Sequence, residues 1–221
     1  MRQVRSHVFA LVPATLVVLT ACAGEPARAP APASSEDPFA GTPLADDVAC
    51  RTRRAHDASC GKTDERDLDL FAEVCASERT CLELTWTSEA TNRYMKCRAV
   101  GACGLDCRRE AAKHLPSTPA SEDAATQCAR VCPGDDGKPL CANVLGRFSP
   151  WKLSAQAEVS ACFAGASDCF AGLGCAESAS RGPTAELDAC ITKAVVTACA
   201  TQERLRGSPT CERVARLTGR P

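Results

Sequence analysis

Seventeen cysteines in 221 residues constrain this chain more than any other feature. Cys22 stands apart near the N-terminus, and the other sixteen run from Cys50 to Cys211. An even set at that density, in a chain sent to an oxidising compartment, means a disulfide framework. The stretch from 47 to 221 needs one. Its large aromatics are Phe71, Trp86, Tyr94, Phe148, Trp151, Phe163 and Phe170, and its apolar faces are mostly Ala, Val and Leu. Each native disulfide typically adds about 2–4 kcal/mol, mainly by restricting the unfolded chain.

The first residues supply the export signal. Met1 to His7 carry Arg2 and Arg5 and no acid, and Val8 to Thr20 are almost wholly apolar. That is a secretory signal, too short for a spanning helix. Leu19-Thr20-Ala21-Cys22 follows it. This order resembles the lipobox of bacterial lipoproteins; an ordinary signal peptide with an adventitious cysteine is the plainer alternative. The resemblance implies cleavage after residue 21 and a diacylglyceryl group on the Cys22 thiol, with further acylation such as palmitate at the new terminus. Two or three acyl chains anchor stably where one does not. Ala23 in place of Asp is similar to outer-membrane sorting in Gram-negative bacteria. The expected location is the outer membrane, lipid-anchored, facing periplasm or exterior.

Residues 22–46 hold Pro26, Pro30, Pro32, Pro38 and Pro43 among Ala and Ser, and are expected to be a disordered tether. The expected fold beyond it is all-α, a set of small disulfide-stapled helical hairpins or a bundle over 47–221. A division into halves, about 47–134 and 135–221, is left open. Helix starts are expected at Thr63-Asp64-Glu65 and Ser88-Glu89. Others are expected where Ser or Thr precedes proline: Thr118-Pro119, Ser149-Pro150 and Ser208-Pro209. A further helix is expected after Thr184, with Leu187, Cys190, Ile191, Ala194, Val195 and Ala198 on one face and Gly207 at its end. Leu82 to Thr87 alternates like a strand and is expected to be an extended connector. Cysteine triples at 60/75/81, 81/97/103 and 141/162/169 have similar spacings, the mark of a weak repeat.

Cys103-Gly-Leu-Asp-Cys107 and Cys128-Ala-Arg-Val-Cys132 have equal spacing around Leu115-Pro116-Ser117-Thr118-Pro119. They resemble the twin CX3C hairpins of plant α-hairpinins and of the small mitochondrial intermembrane-space chaperones. The resemblance implies the pairs Cys103–Cys132 and Cys107–Cys128; pairing with cysteines outside the segment is the alternative. The same logic downstream gives Cys175–Cys190 and Cys169–Cys199, with spacings that match less well. The cysteine rhythm around Cys162, Cys169 and Cys175 is similar to that of cysteine-rich helical lipoproteins of myxobacteria, a group whose members mostly lack an assigned activity.

The chemistry-bearing motifs are sparse. There is no G-x-S-x-G, H-E-x-x-H, P-loop or C-x-x-C. The mature chain has two histidines: His56 is expected on the surface, and His114 at a helix C-terminus, where a cation is favourable. A formal charge of −1 gives no footprint for nucleic acid. Cys103, Cys107, Cys128 and Cys132 satisfy zinc spacing, but oxidation is expected to claim them first. Arg204, Arg206, Arg213, Arg216 and Arg220 near the C-terminus are expected to form a solvated face. The reading is therefore a non-catalytic lipoprotein, structural, adhesive or ligand-binding, with no cofactor. Its partners are the membrane, through the lipid, and an unidentified protein or envelope component. The alternative is an extracytoplasmic thiol-redox or metal-binding protein using reduced cysteines.

Overall fold

The computed structural model describes residues 37–62 and 64–218. The signal segment, Cys22 and most of the expected tether lie outside them, as does Thr63. Nine α-helices occur among the described residues: α1 (Asp46–Ser59), α2 (Glu65–Thr85), α3 (Ser88–Val100), α4 (Cys107–Lys113), α5 (Pro119–Val131), α6 (Gly137–Phe148), α7 (Leu153–Gly165), α8 (Cys169–Thr201) and α9 (Pro209–Thr218). A 3-10 turn, Glu203–Leu205, joins α8 to α9. No helix among the described residues is long and apolar enough to cross a membrane.

Local chemistry starts several of these helices. Asp64 accepts the Asp67 N–H and caps α2, and Thr87 accepts the Ala90 N–H and caps α3. Thr118 and Ser121 form a reciprocal capping box on α5, with Pro119 at the first helical position. Ser208 Oγ accepts the Cys211 N–H at 3.0 Å where α9 begins. Ser149-Pro150 behaves differently. Ser149 closes α6, and the Pro150 carbonyl accepts the Thr87 N–H at 2.8 Å. The Lys152 N–H donates to Thr85 at 2.9 Å, so these two bonds flank an antiparallel bridge between Trp86 and Trp151. The strand-like stretch from Leu82 thus reduces to one residue, Trp86, because Leu82–Thr85 completes the last turn of α2.

All sixteen cysteines from Cys50 to Cys211 are disulfide-bonded. Three bonds lie within residues 50–107: Cys50–Cys75, Cys60–Cys103 and Cys97–Cys107. Four lie within 128–211: Cys128–Cys141, Cys132–Cys169, Cys162–Cys175 and Cys199–Cys211. Cys81–Cys190, between α2 and α8, alone joins the two sets. One apolar core nevertheless runs through both, from Leu82, Tyr94 and Met95 to Phe148, Val159, Phe163 and Leu187.

Every expected pairing is corrected. Cys103 bonds Cys60, Cys107 bonds Cys97, Cys128 bonds Cys141 and Cys132 bonds Cys169. Equal spacing aligns cysteines only if both members of each pair sit on one helix. Cys103 instead lies in the turn between α3 and α4, where Gly104 takes φ +80°, a conformation other side chains adopt only with strain. Cys132 caps the end of α5, and α4 packs on α3 and α6, away from α5. Downstream, Cys175 bonds Cys162, Cys190 bonds Cys81 and Cys199 bonds Cys211. The four cysteines on α8, Cys169, Cys175, Cys190 and Cys199, therefore reach four different partners, because α8 is one 33-residue helix. It passes through Pro183, which deprives the Ala179 carbonyl of its helical donor. The expected start after Thr184 is therefore the middle of a helix, and Gly207 follows the 3-10 turn, six residues past the end of α8.

The tether boundary also moves. Phe39 is 7 % exposed and joins the core, and Asp37 pairs with buried Arg93. The described body begins at Asp37, nine residues before the expected end of the tether. Burial alone would raise the Asp37 carboxyl, but the Arg93 hydrogen bond, the Phe39 N–H and nearby positive charge hold it below the usual carboxylate range.

A buried polar cluster sits where α1, α2 and α3 meet. Glu78 accepts from Arg53 and, at 2.7 Å, from the Tyr94 hydroxyl; Asp57 takes Lys62 at 2.7 Å and lies 3.8 Å from Arg53. Desolvation would lower the Arg53 pKa, and the Glu78 charge and hydrogen bond outweigh it. Burial and the Glu78 charge together push the Tyr94 hydroxyl well up, so it stays a donor.

Candidate functional site: a cationic cleft over the tryptophan bridge

Three helical stripes and the tryptophan bridge enclose a cleft of about 1070 Å³. From α4 come Arg108, Arg109 and Lys113; from α6, Asn143, Gly146 and Arg147; from α8, Ser180, Thr184 and Leu187. The α6 and α8 sets fall at three- and four-residue spacing, and Arg109 and Lys113 on α4 are four apart with Arg108 adjacent, so each set lies along one side of its helix. Trp86 and Trp151 form the floor, 6 % and 8 % exposed, with Pro150 beside them. Their corner is fixed from below. Tyr94 stacks edge-on against Trp86 at 5.7 Å between centroids, and Phe148 against Trp151 at 5.0 Å. Gln156 donates to the Trp151 carbonyl at 2.7 Å and to that of Ser149 at 3.1 Å.

The charge of the lining is one-sided. Arg108, Arg109 and Arg147 are exposed, and no ion-pair partner engages them among the described residues. Lys113 is neutralised by Glu110. The carboxylate in the lining, Asp106, accepts the Arg108 and Arg109 N–H groups and so is turned toward the α4 backbone. Three free guanidiniums around one cavity suit carboxylates or phosphates, which they can grip bidentately. The volume is at the upper end for a small-molecule site. Gly146 keeps the cleft open: a Cβ there would meet nothing within 4 Å. A shallower groove between α7 and α8, about 730 Å³, is lined by small residues such as Ala161, Gly165 and Ala171 and offers no such charge.

The residues expected to matter fall elsewhere. Cys103, Cys107, Cys128 and Cys132, which satisfied zinc spacing, are distributed over four different disulfides. Cys128, Cys132 and Cys141 do bring their sulfurs within 4.8 Å of one another, as two buried disulfides in contact. His114 caps the C-terminus of α4, as its position suggested. His56 is half-buried, its Nε2 2.6 Å from the Gly101 carbonyl and 3.4 Å from Cys60 Sγ. Of the C-terminal arginines, Arg220 lies outside the described residues, and three of the others make ion pairs. Arg204 binds Glu73 at 2.6 Å, while Arg206 and Arg216 lie 3.9 Å from Glu203 and Glu212. The cleft is not legible in the sequence because its walls come from three separate helices, with lining residues spread from Arg108 to Leu187. The signal that could have found it is the pair Arg108–Arg109 with Arg147, because the nearby acids have other work: Glu110 takes Lys113, and Asp106 caps the start of α4.

Comparison with known proteins gave no match to a family model, to a curated protein sequence or to a solved structure.

Proposed function

We propose that this chain is a non-catalytic, lipid-anchored envelope protein whose stapled helical body holds an anionic ligand in the cationic cleft. The observation that carries the reading is the trio Arg108, Arg109 and Arg147, left without carboxylate partners around one cavity. The cleft lining contains no histidine or cysteine, and its hydroxyls on Ser180 and Thr184 have no base beside them. That favours binding over turnover. Eight disulfides favour an oxidising, extracytoplasmic compartment. Attachment falls to acyl chains on Cys22, with the outer membrane as the site and the body facing periplasm or exterior.

Two experiments test the two parts. Cys22→Ser should abolish incorporation of labelled palmitate and release the body from the membrane fraction; labelling of the variant would refute the anchor. Calorimetric titration of the oxidised body with trigalacturonate and with a glycerophosphate oligomer tests the cleft. At least one should bind, more weakly as salt rises, and Arg108→Ala with Arg147→Ala should weaken it at least tenfold. Equal binding of a neutral trisaccharide, or of the double variant, would refute it.

A further inference from the structure

Two disulfides, Cys60–Cys103 and Cys162–Cys175, have no buried sulfur-bearing residue: Cys103 and Cys175 are exposed, and Cys60 and Cys162 are half-buried. Their surroundings have opposite character. One turn before Cys60, on the same face of α1, stands His56, its Nε2 3.4 Å from Cys60 Sγ. One turn before Cys162, on the same face of α7, stands Glu158, which lines the groove holding Cys162 and Cys175. A carboxylate there opposes a developing thiolate; an imidazole N–H supports one.

The tautomer of His56 follows from its other contact. Nε2 lies 2.6 Å from the Gly101 carbonyl, which can only accept, so Nε2 carries the hydrogen. Cys60 Sγ lies 3.4 Å from the same nitrogen, close enough to share that N–H with the carbonyl. We infer that Cys60–Cys103 is a thiol-exchange site, attacked at exposed Cys103 by an external dithiol, with Cys60 as leaving group and His56 as the donor that stabilises its thiolate. The dithiol's thiolate forms a bond to Cys103 Sγ while the Cys60–Cys103 bond breaks, and the electron pair goes to Cys60 Sγ. The second thiol of the reagent, as thiolate, then displaces Cys103, closing the reagent's own disulfide. The protein gains two electrons and two protons, and the dithiol loses both. A low-barrier departure of Cys60 speeds the first step, since exchange quickens as the leaving thiol becomes more acidic. Cys50–Cys75 and Cys97–Cys107 stay closed in the core and hold α1 to α2 and α3 to α4, so opening frees only the turn of residues 101–106. The inference does not rest on the ligand-binding reading.

The test is limiting dithiothreitol on the oxidised protein in native buffer. Aliquots are alkylated with iodoacetamide and each bond is quantified by non-reduced peptide mass spectrometry. Cys60–Cys103 should open at least tenfold faster than Cys162–Cys175, and with glutathione, a monothiol that stalls at the mixed disulfide, the adduct should sit on Cys103. His56→Gln should slow Cys60–Cys103 at least threefold and leave Cys162–Cys175 unchanged. If His56→Gln does not fold, the adduct position and the rate ratio in the natural protein still decide. Equal or faster opening of Cys162–Cys175, an adduct on Cys60, loss of all eight bonds together, or an unslowed His56→Gln would overturn the inference.

Discussion

Removing the Cys81–Cys190 bond should destabilise the body by about 5 kcal/mol, because this bond alone joins the two disulfide sets. The sequence separation of 109 overstates the loop it closes. In the unfolded chain with its other bonds intact, shortcuts through Cys97–Cys107 and Cys132–Cys169 reduce the shortest covalent path to about 65 residues. A closed loop of that size corresponds to about 4.3 kcal/mol of chain entropy at 25 °C. Loss of the buried Cys81 sulfur, 2 % exposed, adds about 0.5–1 kcal/mol when both residues become alanine. The assay is urea unfolding of C81A/C190A against the natural chain, followed by far-UV circular dichroism and by tryptophan fluorescence. Trp86 and Trp151 report directly, since they lie on opposite sides of the junction and bridge across it. The midpoint should fall, and the slope with urea should rise because the unfolded chain expands more. A loss below about 1.5 kcal/mol with an unchanged slope would refute the reasoning and show that core packing alone binds the two sets.

Glu78→Ala should cost about 3–5 kcal/mol in the same assay, since it leaves the Arg53 guanidinium buried with Asp57 at 3.8 Å as its remaining ion-pair neighbour. Asp37→Asn should destabilise at neutral pH and not in acid. The native Asp37 pKa is depressed, so its contribution is full above the unfolded value of about 3.9 and is lost as pH falls through the lower native one. Urea midpoints of the two proteins at pH 7 and pH 2 should differ, then converge. Gly146→Leu should fill the cleft and abolish anion binding in calorimetry. It should also raise stability by about 0.5–1 kcal/mol, because glycine is a poor helix former and the added side chain meets open space.

What the sequence made legible is the local chemistry. Asp64, Thr118-Pro119 and Ser208-Pro209 mark helix starts because capping involves only neighbouring residues. Complete oxidation of the sixteen cysteines followed from density and parity. Connectivity did not, because it depends on which residues leave the helix. Gly101 and Gly104 turn Cys103 out of the register assumed for it, and nothing in the CX3C spacing records that. Pro183 reads as a boundary, yet α8 continues through it; Leu187 is buried on one side and Cys190 is bonded to Cys81 beyond it, which offsets the lost hydrogen bond. Phe39 reads as a lone aromatic in a proline-rich tether, but α3 offers Arg93 to Asp37 and the core accepts the ring. The cleft was illegible because each wall taken alone is an ordinary solvated helix face.

The two disulfide sets, the cleft between α4, α6 and α8, and the exposed Cys60–Cys103 bond all rest on one claim, the connectivity of the body. Mass-spectrometric mapping of the non-reduced protein, digested at a pH that prevents exchange, tests it directly. The account predicts no free thiol between Cys50 and Cys211, a Cys81–Cys190 peptide as the one link between residues 50–107 and 128–211, and Cys103 joined to Cys60. A peptide joining Cys103 to Cys132 or Cys107 to Cys128, or two or more free thiols in the native protein, would contradict it.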